Sequence, residues 1–127
     1  MHIDNTMKVL VVDDFSTMRA VVVNLFSELG FVNVHQAADG QQAWEIIQQH
    51  DFFDLIVCDW NMPCMTGIEL LKKLKANPQY CQSKFILITA EAKSAQILEA
   101  SRSGADGYIL KPFSLETLHE KIFEVFK

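Results

Sequence analysis

Five short apolar runs alternate with five stretches of helical periodicity along this chain, and few folds accommodate that alternation. The runs are KVLVV (8–12), NVHQA (33–37), LIVC (55–58), FILIT (85–89) and GYIL (107–110). All but the second are almost continuously apolar, as strands buried on both faces are, and strands separated by helices are joined by parallel crossovers. The expectation is an α/β domain with a five-stranded parallel sheet covered on both sides by helices.

The helical segments carry their own start and stop signals. Met18, Val21, Val22, Leu25, Phe26 and Leu29 recur at 3.6-residue spacing from near Ser16, and Gly30 supplies a left-handed stop. Asp39 is the expected N-cap of a second helix, with Gln42 three residues on and Ala43, Ile46 and Ile47 facing inward. A third helix is predicted from Gly67 to Ala76, burying Ile68, Leu71 and Leu74 and ended by Asn77-Pro78. A fourth, over 93–103, has a weak apolar stripe and stops at Gly104. The fifth begins at Ser114, with Phe113 and Leu118 placed as a hydrophobic staple.

The 127 residues suit one domain, and no long linker or low-complexity segment interrupts them. Residues 1–7 are expected to form a short flexible tail and 8–127 a single domain. A net charge of -5 argues against general affinity for nucleic acid or an anionic membrane. The basic cluster Lys72, Lys73 and Lys75 fits a solvated helix face. The N-terminal MHIDNTM has no basic start, apolar stretch or cleavage site, so a cytoplasmic protein is expected. Three cysteines without paired spacing suit reduced thiols, with Cys58 a small core residue, and the four scattered histidines lack metal-ligand spacing.

Parallel strands all point one way, so the residues just beyond their ends gather along one rim, where open α/β sheets bind ligands. Asp13 and Asp14 follow the first run, Asp59 the third, Thr89 closes the fourth and Lys111 follows the fifth. Taken singly, each has an ordinary reading: the aspartates as helix caps, Thr89 as a β-branched strand residue, the lysine as a solvated cation. Their convergence on one rim is what points to chemistry.

Two like charges about 4 Å apart repel by roughly 4 kcal/mol at an effective dielectric near 20, so three clustered carboxylates cost on the order of 10 kcal/mol uncompensated. Lys111 cancels one charge. Either a carboxyl is protonated or a hard divalent cation sits among the oxygens, and a compact all-oxygen site suits Mg²⁺. Metal, nucleophile and cationic anchor are the parts of a phosphoryl-transfer site, with Asp59, on a central strand end, the best nucleophile. Thr89 and Lys111 are placed to contact phosphoryl oxygens.

In the words VDDFSTMR (12–19), DWNMP (59–63), TAEAK (89–93) and GYILKPF (107–113) the chain resembles the response-regulator receiver domains, and among them the single-domain chemotaxis regulators. The resemblance covers nearly everything after the tail. It implies a flavodoxin-like (βα)5 three-layer sandwich with strand order 2-1-3-4-5, an order taken from the resemblance and not from the runs. It implies Asp59 as phosphoacceptor for a sensor histidine kinase, and Mg²⁺ held by Asp14, Asp59 and the Asn61 carbonyl with Asp13 assisting. Thr89 and Lys111 would contact the phosphate, a cis Lys111-Pro112 bond would aim the lysine, and Trp60 would lie beside the metal.

Further along, the resemblance implies a regulatory monomer and no turnover enzyme. It implies that phosphorylation would draw in the Thr89 hydroxyl, that Tyr108 would fill the vacated space, and that the surface of the fourth helix, fifth strand and fifth helix would be remodelled for a partner such as the flagellar motor switch protein. Taken alone, Tyr108 is equally an edge-strand aromatic. Asn61 and Glu91 match positions associated with phosphoryl lifetime, which implies prompt hydrolysis, and a phosphatase is a further partner class.

Cys64 and Thr66 depart from the family pattern, as do Ser101, Arg102, Leu115, Glu116 and His119 on the presumed output face. A phosphate sink or a regulator of a non-motor partner is therefore the alternative. A haloacid-dehalogenase-like phosphatase wants a second acid where Asn61 stands, and a flavin mononucleotide carrier wants a phosphate loop where Asp13 and Asp14 stand.

Overall fold

The computed structural model describes residues 5–50, 52–91 and 93–126. In chain order its elements are β1 (Val9–Val12), α1 (Ser16–Glu28), β2 (Val34–Ala37), α2 (Gly40–His50), β3 (Leu55–Asp59), α3 (Gly67–Lys75), β4 (Lys84–Thr89), α4 (Ser94–Arg102), β5 (Gly107–Leu110) and α5 (Leu115–Val125). The strands form one parallel sheet in the order β2-β1-β3-β4-β5. β2 lies at an edge and is only partly buried, which is why its run alone lacks continuous apolar character.

Alternation along the strands sorts the core into two layers. Val9, Val11, Leu55, Val57, Ile86 and Ile88 face one side and pack with Val22 and Phe26 of α1 and Leu118 and Ile122 of α5. Leu10, Val12, Ile56, Cys58, Phe85 and Leu87 face the other and pack with Ala43 and Ile47 of α2, Leu71 and Leu74 of α3 and Ala100 of α4. The product is the expected three-layer sandwich.

Local signals account for most boundaries. Gly30 adopts φ +93° beyond α1, and Gly104 adopts φ +99° beyond α4, the left-handed conformation that glycine takes without a Cβ penalty. Asp39 Oδ1 accepts from the Gln42 amide at 2.7 Å, and Gln42 reaches back to the Ala38 amide, one residue short of a reciprocal box. Ser114 caps α5 through the Thr117 amide at 3.2 Å, and Phe113 and Leu118 belong to the same apolar cluster.

One side-chain placement differs from expectation. Val21 is exposed, because the buried stripe of α1 centres on Val22 and Phe26 and the position before Val22 is rotated about 100° away from it. Of the residues expected to form a tail, 1–4 lie outside the described residues; Asn5 accepts from the Val32 amide through its carbonyl at 3.4 Å, and Met7 packs on the α1/α5 layer.

Candidate functional site

The β1–α1 turn is built by Asp13 itself. Its Oδ1 accepts from the Phe15 amide at 2.9 Å, and its own amide donates to Ala37 at 3.2 Å, tying the turn to β2. Asp13 is buried and Asp14 exposed. Asp59 ends β3 and is buried, in register with Ile88 of β4. One carboxylate oxygen from each of Asp13, Asp14 and Asp59 lies within 4.8 Å of the other two.

Lys111 closes the cluster. Its ammonium is 2.9 Å from Asp59 Oδ1 and 3.7 Å from Asp13 Oδ2. The Lys111-Pro112 peptide is cis, and the Lys111 amide donates to the Thr89 carbonyl at 2.8 Å. Burial raises the Asp59 pKa above the ordinary carboxylate value; Lys111 opposes that rise, while Asp13 and Asp14 add to it. Beneath the cluster, burial pushes the Cys58 thiol well above its usual range, with the charges of Asp59 and Asp13 adding to the effect, so Cys58 is the inert core residue that its strand position suggested.

A divalent cation fits these residues. Asp13 Oδ2 is buried and has no hydrogen-bond partner, an unmet need that a hard cation satisfies, and the donors are all oxygens, the set that Mg²⁺ prefers. Asn61 is exposed in the loop after β3. Trp60 is buried in the α2/α3 layer and spans the sheet rim with its backbone: its amide donates to Ile88 and its carbonyl accepts from Gly67, both at 2.9 Å.

Thr89 reaches the rim, but its hydroxyl is engaged within its own loop. It donates to the Glu91 carbonyl at 2.8 Å and accepts from the Glu91 amide at 3.2 Å. Tyr108 is half-buried against the α2/α3 layer, with the Lys121 ammonium 5.3 Å from its ring centre. It lines a cavity of about 280 Å³ together with Ile97, Ala100, Lys121 and Glu124, between α4 and α5.

Two local features escaped the sequence reading. Thr66 and Glu69 form a reciprocal capping box at the start of α3, with Glu69 amide to Thr66 Oγ1 at 3.2 Å and Thr66 amide to Glu69 Oε1 at 2.9 Å. The T-x-x-E spacing of residues 66–69 is the local signal for this box. Arg19 folds back over the first turn of α1 so that its Nη1 donates to the Asp13 carbonyl at 2.7 Å and its Nε to Gln36 Oε1 at 3.2 Å. Cys64 adopts φ +69°, so the β3–α3 loop turns through a left-handed residue that is not glycine.

A family profile described as the response regulator receiver domain matches residues 9–123. The chain is 48% identical over 125 residues to the chemotaxis protein CheY-3 of Vibrio cholerae, covering 98% of this chain and 95% of that one. Its fold superposes with TM-score 0.88 on V. cholerae chemotaxis protein CheY4, at 36% identity and with coverage of 94% and 98%. It superposes with the same score on CheY in a CheX–CheY–BeF3–Mg+2 complex from Borrelia burgdorferi, at 27% identity and with coverage of 95% and 90%.

Proposed function

From the premise that this chain belongs to the response regulator receiver domain family, we propose that it is a phosphorylation-controlled switch of the chemotaxis type, with Asp59 as phosphoacceptor. The observation that carries this reading is the meeting of three carboxylates and Lys111 at one rim, with Asp59 buried and held 2.9 Å from the ammonium. An Asp59 oxygen attacks the phosphorus of a phosphohistidine on a sensor kinase; the O–P bond forms, the P–N bond breaks, and its electron pair leaves with the imidazole nitrogen.

Asp13, Asp14, Asp59 and the Asn61 carbonyl would hold Mg²⁺. When bound, the ion neutralises anionic phosphoryl oxygens that bare carboxylates would repel. Lys111 is placed to pair with another of those oxygens while staying near Asp13. The Asp59 pKa is raised first by burial and then by the charges of Asp13 and Asp14, and Lys111 offsets only part of that rise.

The switch follows from what Thr89 must give up. Its hydroxyl donates to Glu91, so contact with a phosphoryl group requires that bond to break and the β4–α4 loop to move. Tyr108 stands one strand over, beside the cavity between α4 and α5, where a vacated volume would admit its ring. The added charge of about -1.5 to -2 thereby reaches a surface that partners touch. We place the protein in the cytoplasm, as a monomer whose output is the flagellar motor switch, on the strength of its chemotaxis relatives.

Ser101, Arg102, Glu116 and His119 are exposed on that surface and depart from the chemotaxis pattern, which favours a second reading: a phosphate sink, or a regulator of another partner. Incubation with Mg²⁺ and acetyl phosphate should add one phosphoryl group at Asp59; modification elsewhere refutes the assignment. A pull-down against the flagellar switch protein, with and without phosphorylation, separates the two outputs.

A further inference from the structure

Arg19 stands where the dipole of its own helix disfavours a cation. Its amide donates to the Phe15 carbonyl at 2.9 Å, which closes the first turn of α1, and the positive end of the helix dipole lies there. α1 has no acidic residue in its first turn and no side-chain cap, so nothing on the helix itself compensates the guanidinium. What holds the side chain is outside the helix: the Asp13 carbonyl at 2.7 Å and Gln36 of β2 at 3.2 Å.

We infer that Arg19 is a positioning residue for the metal site, clamping the backbone of the turn that carries Asp13 and Asp14 and anchoring it to β2. The inference rests on the Mg²⁺ reading above. Asp13 Oδ1 is committed to the Phe15 amide, so the direction of Oδ2, which has the Lys111 ammonium at 3.7 Å but no hydrogen bond, depends on the orientation of this one residue's backbone. The amide of Asp13 is fixed by Ala37 and its carbonyl by Arg19, both referring the turn to β2. A planar fork with two donors suits this task; an ammonium, a point charge on a flexible stem, does not. Groups that orient ligands without touching the metal commonly set its affinity.

Charge and positioning predict opposite signs. A cation close to an acidic cluster repels Mg²⁺, so if charge were all Arg19 supplied, Arg19→Gln would bind the ion more tightly and Arg19→Lys would leave binding unchanged. If Arg19 positions the turn, both variants bind Mg²⁺ more weakly, by about tenfold. Gln36 is exposed and tolerates replacement, so Gln36→Leu serves as the variant that keeps the fold; it should weaken Mg²⁺ binding about twofold in the parent and have no further effect in the Arg19→Gln background.

The experiment titrates Mg²⁺ into the full chain and each variant, all carrying Trp44→Phe so that the fluorescence followed is that of Trp60, which directly succeeds Asp59. Melting midpoints in chelator are measured alongside. Weaker binding in both Arg19 variants, together with non-additivity with Gln36→Leu, supports the inference. Tighter binding by Arg19→Gln overturns it, as does a lowered melting midpoint with unchanged Mg²⁺ affinity, which would mark the side chain as only a brace for α1. Failure of the parent chain to bind Mg²⁺ brings down the metal reading and this inference together; binding by the parent with unaltered variants brings down this inference alone.

Discussion

The Lys111 ammonium lies 2.9 Å from Asp59 Oδ1 and 3.7 Å from Asp13 Oδ2, so a single cation from the loop after β5 spans carboxylates from the ends of β3 and β1. It is the positive charge that offsets the cost of burying Asp59 beside two other acids. Replacing Lys111 with methionine should raise the Asp59 pKa further and remove a partner of the transferred phosphoryl group. Phosphorylation by acetyl phosphate should then slow by about ten- to a hundredfold, read as an initial rate at saturating Mg²⁺. A rate within twofold of the parent would exclude Lys111 from the transfer step.

Asp59 should weaken the metal-free fold at neutral pH. Its folded pKa is raised, so the native state holds the proton more tightly than the unfolded chain does; the stability this confers is full below the unfolded pKa and is lost as pH rises through the folded value. Asp59→Asn removes that loss. In chelator at pH 7 the variant should melt higher than the parent. Adding Mg²⁺ should raise the midpoint of the parent more than that of the variant. Equal metal responses would place the ion elsewhere.

The start of α3 also governs the geometry at Asp59. A Cβ on Gly67 would clash with the Asp59 carbonyl oxygen and meet Leu87 Cδ2 at 2.9 Å. Backbone cannot swing aside as a flexible side chain does, so Gly67→Ala should cost about 2–3 kcal/mol and shift Asp59 away from Lys111. Thr66→Ala deletes one half of the capping box and should cost about 1 kcal/mol with no change in phosphorylation rate. Denaturant melts with parallel phosphorylation assays distinguish the two.

A separate pH dependence is expected at the opposite end of the sheet. The His35 and His50 rings approach to 4.6 Å, the Lys8 ammonium donates to the His50 carbonyl at 3.2 Å, and the Asp54 carboxylate accepts from the Lys8 amide at 2.8 Å. Burial lowers the His35 pKa below 6.5, and the charges of His50 and Lys8 lower it further. A base with a depressed folded pKa contributes stability that is present above its unfolded pKa and is lost as pH falls through the folded value. The melting midpoint should therefore drop between pH 7 and 5, and His35→Gln should flatten that drop. An unchanged slope in the variant would assign the drop to other groups.

How much of this could be read in advance varies by element. The buried strands β1, β3 and β4 declared themselves as continuous apolar runs, and the caps at Asp39 and Ser114 were legible because a cap is a contact between near neighbours. The T-x-x-E box at Thr66 was equally local and was passed over. Val21 was misassigned to the buried stripe, since an apolar residue at helical spacing does not reveal where the stripe is centred until the facing strands are in place. His35 and His50 looked scattered, because the sequence does not show that an edge strand and the end of α2 lie side by side.

By itself, the order of residues determined the alternation of strands and helices, the parallel direction of the strands and hence the rim on which Asp13, Asp14, Asp59, Thr89 and Lys111 gather. Each of those follows from periodicity and strand polarity, which are properties of short stretches of chain. Only the tertiary structure decided which oxygen faces which cation, that the Thr89 hydroxyl is engaged by Glu91, and that Arg19 reaches back to the Asp13 carbonyl. Those facts depend on ångström-scale distances between loops whose separation is set by strand register and by packing across two core layers, and no local pattern encodes such distances.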